Sequence, residues 1–243
     1  MSIFLPESKL TDDNRKLIAE GLEFFPTESK YQGGRPPESV CAFDFSEEGI
    51  FLPLYFACKE LKLKARGRAE FRKTGLSFSG KLRAHQKEAR RDAISLLNQN
   101  NTCIMALHVG AGKTITSINM AVKIGMPTLI VISRLCLFDQ WIQSIERFVP
   151  GANIKKVTAK TKIDGTEDFY IMNAINVPKM GRDYFSHVGL LIVDELHLIG
   201  TEKLSQSMFY VRPRYAIGLS ATPTRPDGMD ALLYSFFGRD MVK

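Results

Sequence analysis

Positions 108–114 carry the residue types that can hold a phosphate group. They read His-Val-Gly-Ala-Gly-Lys-Thr and lie between a short apolar run and a segment with helical periodicity. Glycines let backbone N–H groups converge on phosphate oxygens, and the start of a helix favours an anion. The lysine can reach the β- and γ-phosphates, and the hydroxyl after it can ligate Mg²⁺. The residues predicted to bind the phosphates of ATP are Val109, Gly110, Ala111, Gly112, Lys113 and Thr114.

The general pattern for such a loop has glycine where this chain has Leu107. A loop that is merely rich in glycine therefore stays open as an alternative. The apolar run before the loop and the helical segment after it favour phosphate binding, since the pattern requires that context.

Two consecutive carboxylates follow the apolar run Leu190–Val193, at Asp194 and Glu195. Asp194 is suited to hold Mg²⁺ through water, and Glu195 to polarise an attacking water. Two carboxylates at a strand end are otherwise often a solvated turn. With the phosphate loop earlier in the chain they predict a nucleoside triphosphate hydrolase whose catalytic residues are Lys113, Asp194 and Glu195.

The phosphate loop, the Asp-Glu-Leu-His run and Ser220-Ala221-Thr222 together resemble motifs I, II and III of superfamily 2 helicases of the DExH type. That family accepts a residue other than glycine at the Leu107 position. The resemblance implies that His197, Ser220 and Thr222 relay the nucleotide state to the nucleic-acid side. Locally, the two hydroxyl residues could instead cap a following helix, and both roles are compatible.

An upstream element, Leu82-Arg83-Ala84-His85-Gln86, resembles the family's Leu-Arg-x-x-Gln motif. The resemblance implies that Gln86 reads the adenine of ATP, and an amide can pair with both adenine N6 and N7. Apart from the resemblance, Gln86 would be expected to be an exposed helical residue.

Ser133 and Arg134, followed by Asp139-Gln140-Trp141, resemble motif Ia, which implies contacts to the nucleic-acid backbone. Asn173 falls where motif Ib or Ic would lie and is a third candidate contact. Trp141 is expected to pack in the core, because it shares a helical face with Ile145 and Phe148.

Residues 223–228 read Pro-Thr-Arg-Pro-Asp-Gly and extend the similarity to double-stranded-DNA translocases. That subset includes the xeroderma-pigmentosum-type helicase, phage branch-migration helicases and restriction motor subunits. It implies DNA as the partner, with an RNA helicase as an alternative. The family uses two RecA-like lobes, and the resemblance covers one, from Leu82 to Lys243. A second lobe is therefore expected as a partner, with this chain near-inactive alone.

The apolar runs predict which elements position these residues. Runs without polar alternation indicate strands covered on both faces, and the segments between them have helical periodicity. Alternating strand and helix predicts a parallel α/β sheet flanked by helices, the RecA-like lobe of a P-loop NTPase, over residues 81–243. Residues 1–80 are expected to form a small α+β accessory domain, in which Ile50–Leu61 passes from strand into helix. The predicted strands are Cys103–Leu107, Thr128–Ile132, Phe169–Met172, Leu190–Val193 and Tyr215–Leu219, and the predicted helices are Lys113–Ile124, Leu137–Phe148, Glu202–Tyr210 and Met229–Phe237.

Composition narrows the function classes. With 44% hydrophobic and 24% charged residues the chain is not a disordered protein. No secretory signal is readable and no apolar stretch approaches the roughly twenty residues of a membrane helix, so an intracellular protein is expected, in cytoplasm or nucleus, with a virus or phage among its candidate sources.

Positive charge is concentrated in residues 59–91, which hold twelve Lys or Arg against three Asp or Glu. Such a run suits nucleic acid, and a solvated basic face is the alternative. It also supports a second reading of the chain, a nucleic-acid-binding module whose nucleotide site is a sensor or a vestige.

Overall fold

Seven parallel strands form the central sheet within the residues that the computed structural model describes, which are 1–25, 39–199, 205–222 and 229–243. The sheet has the order β12-β6-β11-β10-β7-β9-β8. Its strands are β6 (Thr102–Met105), β7 (Thr128–Ile132), β8 (Ile154–Val157), β9 (Phe169–Asn173), β10 (Leu190–Val193), β11 (Tyr215–Leu219) and β12 (Met241–Val242). The helices around it are α3 (Ala84–Asn100), α4 (Lys113–Ile124), α5 (Leu137–Phe148), α6 (Leu196–Ile199) and α7 (Asp230–Phe237), with 3₁₀ turns at Ala174–Met180 and Gln206–Tyr210.

The sheet confirms the predicted fold class, a RecA-like parallel sheet flanked by helices. Its strands alternate between two apolar clusters. Leu129 and Val131 belong to one, and Ile130 and Ile132 belong to the other. Because both faces are covered by apolar side chains, the strands lack the polar alternation of a half-exposed sheet.

Differences from the predicted elements are local. The first strand of the sheet ends at Met105 rather than at Leu107, and the structure adds β8 and β12. β8 reads Ile-Lys-Lys-Val and is only partly buried, which hides it from a search for apolar runs. The predicted helix Glu202–Tyr210 lies partly outside the described residues, and its described part is a 3₁₀ turn from Gln206.

Residues 1–25 and 39–60 form a smaller antiparallel arrangement beside the sheet. β1 (Ser2–Pro6), β5 (Gly49–Pro53) and β4 (Asp44–Ser46) pair in that order, and β2 (Glu23–Phe24) pairs with β3 (Val40–Cys41). The helices here are α1 (Asp12–Gly21) and α2 (Leu54–Lys59), so the predicted passage from strand to helix occurs at β5 and α2. The apolar residues of this part and those of one sheet face belong to a single cluster, and the predicted division near residue 80 stays a prediction.

Residues 61–83 run as a mostly irregular segment, here called the strap, past loops that precede several strands of the sheet. Arg68 donates to the carbonyl of Ile124, and the backbone N–H of Thr74 donates to Gly125, both just before β7. Arg72 donates to the carbonyls of Thr166 and Glu167 at 2.8 Å, just before β9. These hydrogen bonds thus hold the strap along the amino-terminal edge of the sheet.

One expectation about side-chain exposure needs correction. Gln86 is 5% exposed rather than a solvated helical residue. Within the described residues, no helix is both long enough and apolar enough to cross a membrane.

Candidate nucleotide-binding site

The predicted site residues follow five neighbouring strands of the sheet. All of these strands are parallel, so their carboxyl ends lie at one edge. Along that edge the order is the phosphate loop after β6, Ser220 after β11, Asp194 after β10, Ser133 after β7 and Asn173 at the end of β9. The nucleotide-site candidates and the nucleic-acid candidates therefore occupy adjoining parts of one edge.

The phosphate loop has the backbone geometry that its sequence predicts. Gly110 and Gly112 have φ values of +83° and +86°, in the left-handed region that favours glycine. α4 begins at Lys113, directly after Gly112, so the loop leads straight into a helix N-terminus. The Lys113 ammonium donates to the Leu107 carbonyl at 2.8 Å and to the His108 carbonyl at 3.3 Å, so it lies back over the loop.

The leucine at position 107 is compatible with this loop. Its side chain is 7% exposed and belongs to the apolar cluster beneath α3, α4 and α5. It is not among the described residues with positive φ, so glycine is not required there. Only its carbonyl faces the loop, where it accepts from Lys113.

Gln86 and its neighbour His85 contact the loop from the start of α3. The Gln86 amide donates to the Ala111 carbonyl at 3.2 Å, and its oxygen accepts from the backbone N–H of Arg83 at 2.9 Å. A ring nitrogen of His85 also lies 3.2 Å from the Ala111 carbonyl. A Cβ on Gly112 would lie 2.1 Å from the Gln86 amide nitrogen, so the loop passes Gln86 more closely than any side chain would allow.

Asp194 lies at the end of β10, half-buried, with both carboxylate oxygens engaged. The indole N–H of Trp141 donates to Oδ2 at 2.8 Å, and the Glu195 backbone N–H donates to Oδ1 at 3.0 Å. Burial raises the pKa of Asp194 above its ordinary value, while the bond from Trp141 and the positive charge of Lys113 lower it. That effect of Lys113 puts the loop and the acidic strand end within electrostatic reach of each other.

The residues after Asp194 lead toward the end of β11. Glu195 has a φ of +51°, a conformation that costs a non-glycine residue about 1 kcal/mol and is found at functional sites. A ring nitrogen of His197 lies 3.4 Å from the Glu195 carboxylate and 3.2 Å from the Ser220 hydroxyl. Ser220 in turn accepts from the backbone N–H of Thr222 at 3.2 Å. The three predicted coupling residues, His197, Ser220 and Thr222, thus form a chain of contacts that starts at the predicted catalytic carboxylate of Glu195.

The nucleic-acid candidates divide into an exposed residue and a bonded pair. Arg134 is exposed. Asn173 is 6% exposed, and its amide donates to the Ser133 carbonyl at 3.2 Å while its oxygen accepts from Ile175. The Ser133 hydroxyl oxygen is buried and, in the part of the chain that the structure describes, has no hydrogen-bond partner. Asn173 therefore holds the loop after β7 in place. Residues 223–228, the last of the predicted motifs, lie outside the described residues.

The oxygen-bearing side chains at this edge fit Mg²⁺ bound with a nucleoside triphosphate. Thr114 offers a hydroxyl and Asp194 a carboxylate, which are the oxygen ligands that Mg²⁺ prefers. Gly110 has open space where a Cβ would stand, so a phosphate can approach the backbone there.

Sequence reasoning missed two residues at this site, Trp141 and His85. Trp141 does pack in the core, as expected, with 1% exposure, but it also holds Asp194. The signal was the indole N–H itself, which usually finds a partner when a tryptophan is buried. The position of His85 directly before Gln86 gives no comparable signal.

A family model described as "Type III restriction enzyme, res subunit" matches residues 79–225. Among curated proteins, the chain is 36% identical to a protein described as a helicase, 161L, from Invertebrate iridescent virus 6, over 88% of this chain and 49% of that protein. It is also 36% identical to a similarly described protein, 109L, from Invertebrate iridescent virus 3, over 97% of this chain and 75% of the relative. The chain thus spans about half the length of one relative and three quarters of the other.

A more distant relative and a solved structure extend the comparison. A protein of Acanthamoeba polyphaga mimivirus described as an ATP-dependent RNA helicase, L396, is 28% identical over 67% of this chain and 32% of that protein. The crystal structure of the UvsW helicase from Bacteriophage T4 matches with a TM-score of 0.65 and 18% identity, over 94% of this chain and 92% of that one. At that identity the likeness concerns the fold, and it includes the small N-terminal part.

Proposed function

The chain belongs to the family of the res subunit of type III restriction enzymes and carries the N-terminal lobe of a superfamily 2 helicase, and on that premise we propose that it hydrolyses Mg-ATP to drive movement along double-stranded DNA. We propose in particular its substrate, its metal ion, the residues that act in hydrolysis and its need for a second lobe.

One observation carries the proposal. The phosphate loop, the chain from Glu195 through His197 to Ser220, and the Ser133 loop lie in that order of strands along one edge of the sheet. A motor needs such an arrangement, since the nucleotide state must reach the nucleic-acid side.

Each residue at the edge has a distinct proposed role. Lys113 moves from the loop carbonyls to the β- and γ-phosphate oxygens, and the loop N–H groups hold the phosphates. Thr114 and Asp194 hold Mg²⁺, which would neutralise charge developing on the phosphates. Glu195 orients and polarises the attacking water. Gln86, already seated against the loop, reads the adenine.

A second lobe is the proposed partner for hydrolysis. An arginine supplied to the transferring phosphate contributes around 10³- to 10⁵-fold in rate. No residue described above has that role, so this chain alone should bind Mg-ATP and turn it over negligibly.

DNA is the proposed track because of the Thr-Pro-x-Arg-x-Asp-Gly pattern at residues 222–228 and the restriction-enzyme family. The description of the mimiviral relative as an RNA helicase favours RNA as the second candidate.

The test compares this chain with a chain that also includes the C-terminal portion of the whole protein. ATP hydrolysis is measured for both without nucleic acid, with single-stranded DNA, with duplex DNA and with RNA. We expect hydrolysis only from the longer chain, stimulated most by duplex DNA. Glu195→Gln should retain ATP binding and lose hydrolysis, whereas Lys113→Ala should lose both.

Three results would contradict parts of the proposal. Stimulation by RNA alone would replace DNA with RNA. Turnover by this chain alone near 1 s⁻¹ would remove the need for the second lobe. Absence of hydrolysis by either chain under every condition would favour the nucleic-acid-binding module with a vestigial nucleotide site.

A further inference from the structure

A groove on the outer surface of α3 and α4, here called the α3–α4 groove, is lined by four basic side chains. It encloses about 350 Å³, and its described lining residues are Lys87, Glu88, Arg90, Arg91, Ile94 and Lys123. One carboxylate, Glu88, faces the four positive charges. Lys87, Arg91 and Lys123 are exposed, and the Arg91 side chain is 75% accessible.

This arrangement of charge is unfavourable for the helix that carries it. Lys87, Arg90 and Arg91 are spaced i, i+3 and i+4, and like charges at that spacing destabilise a helix. The first turn of α3 contains no acidic residue, although that end of a helix favours negative charge. Arg91 pairs with the adjacent Asp92, which leaves the other two charges unaffected.

Arg90 adds an independent observation. Its guanidinium donates to the Asn119 side chain at 3.0 Å and so links α3 to α4 beneath the groove. Its Nε–H is buried and lacks a hydrogen-bond partner among the described residues. A buried donor without a partner costs about 1–3 kcal/mol, and the Arg90 guanidinium would have to shift for this donor to reach an anion in the groove.

The structure also separates these residues from the rest of the basic run at residues 59–91. Arg66, Arg68 and Arg72 donate to backbone carbonyls at the other edge of the sheet, so they hold the strap in place. Lysines of the strap such as Lys62 and Lys73 are also exposed, so exposure alone does not distinguish the residues on α3. What distinguishes them is that they line one groove together with Lys123 of α4.

We propose that the α3–α4 groove binds the phosphate backbone of a nucleic-acid duplex, as a contact separate from the residues at the carboxyl edge of the sheet. The inference rests on the proposed function, because a polyanion is the ligand that a nucleic-acid motor meets at high local concentration. Basic side chains that come from two helices suit a spaced row of phosphates, and Glu88 would repel a compact anion placed directly beside it. Lys87 directly follows Gln86, so a duplex in the groove would contact the same helix that contacts the nucleotide loop.

The test removes three charges from the groove in the 243-residue chain, as Lys87→Gln, Arg91→Gln and Lys123→Gln together. Arg90 is left in place because it links the two helices. The matched control removes three exposed charges elsewhere, as Lys9→Gln, Lys16→Gln and Lys160→Gln. Binding of labelled DNA and RNA duplexes of 20 base pairs is measured by fluorescence anisotropy over a range of salt concentrations, and ATP binding is measured in parallel.

For the groove variant we expect duplex affinity to fall at least about tenfold at 50 mM salt, with the slope of log K against log salt reduced by about two to three. The control should change both by much less, and ATP binding should stay unchanged in both. The two duplexes distinguish DNA from RNA as the source of the phosphates. Equal losses in the groove variant and the control would overturn the groove as a site.

A wild-type chain that binds neither duplex at low salt would also overturn the groove proposal. ATP binding that depends on Lys113 would then still support the nucleotide part of the proposed function. Conversely, groove-dependent duplex binding without any ATP binding would support the groove and contradict the motor.

Discussion

At the scale of single residues, the indole of Trp141 positions the carboxylate of Asp194. The bond is 2.8 Å long and joins residues 53 positions apart. Residue type and spacing predict the phosphate loop and the acidic pair, because the residues of each are close in sequence, and their roles stay predictions. They could not predict this bond, because it depends on how α5 packs against the sheet.

Replacing Trp141 by Phe should weaken binding of Mg²⁺ with ATP while leaving binding of ATP without metal nearly unchanged. The ring keeps most of its packing, but the carboxylate loses its orienting donor, and loss of such a partner costs about 10- to 100-fold in metal affinity. ATP titrations with and without Mg²⁺ measure the difference. Ile145→Val, a packing change on the same buried face of α5, is the control. Equal effects of the two substitutions would mean that Trp141 only packs.

The two glycines of the phosphate loop offer a matched pair for testing the Gln86 contact. Gly110 and Gly112 have nearly the same positive φ, but only a Cβ on Gly112 would meet Gln86. Gly110→Ala should therefore show the cost of the backbone conformation alone, about 1–2 kcal/mol. Gly112→Ala should lower the free energy of unfolding further, and Gln86→Ala combined with it should recover part of that loss. Urea denaturation measures this, because Gln86→Ala would itself lower ATP affinity if Gln86 reads the adenine. Equal stability of the two single variants would show that Gln86 does not limit the loop.

At the scale of elements, the strap shows where sequence patterns stop being informative. Three of the sheet's strands, Thr128–Ile132, Leu190–Val193 and Tyr215–Leu219, have the predicted bounds because each is a continuous apolar run. The strap has few such residues, and its basic side chains suggested a surface for nucleic acid. Its arginines donate to carbonyls up to 146 positions away, and no local pattern encodes such contacts.

Arg72 and Lys73 are neighbours in the strap that differ in their contacts. Arg72 donates to two carbonyls and to the Asp168 carboxylate, while Lys73 is exposed. We expect Arg72→Met to lower the free energy of unfolding by about 1–2 kcal/mol and Lys73→Met to change it by less than about 0.5 kcal/mol. Urea denaturation of both variants measures this, and each removes one positive charge. Equal stability would mean that the strap is not held by its arginine.

The partly buried His187, close to Arg72 and Glu167, predicts that the stability of the protein depends on pH. Burial holds its pKa below the ordinary 6.5; the nearby Glu167 and Asp164 carboxylates raise it, and Arg72 lowers it. The unfolded chain therefore takes up a proton near pH 6.5, and the folded chain takes it up only at lower pH. Stability should fall as the pH decreases below 6.5, by at most about 1.4 kcal/mol per pH unit from this group.

Denaturant unfolding at pH 7.0 and 5.5 tests this assignment. His187→Gln should reduce the difference between the two pH values, while His108→Gln, at an exposed histidine, should not. A difference that persists unchanged in His187→Gln would assign the pH dependence to other groups.

At the scale of the whole molecule, the N-terminal sixty residues and the large sheet are joined by more than the chain between them. Arg182 lies over the Phe51 ring at 3.9 Å and over the Tyr210 ring at 4.5 Å, and it pairs with Asp44. Its guanidinium also donates to the Phe209 carbonyl at 3.1 Å. The sequence pattern predicted a small accessory domain over residues 1–80 ahead of the sheet. A local pattern does not report which apolar faces meet, and these faces belong to one cluster.

Unfolding should therefore occur in one cooperative transition, and Arg182→Met should move that whole transition to lower urea concentration. Trp141 is the only tryptophan and lies in the large sheet's core, so its fluorescence reports on that part, while circular dichroism reports on the whole chain. We expect fluorescence and circular dichroism to give the same urea unfolding curve. Arg182→Met should lower the midpoint of both curves together, as a loss of about 2 kcal/mol in the free energy of unfolding. Lys179→Met is the control, since Lys179 bonds only to the nearby Asn176 in the contacts described. If the two parts unfold independently, Arg182→Met would move the circular dichroism signal and leave the Trp141 midpoint unchanged. That result would favour two separable domains divided near residue 80.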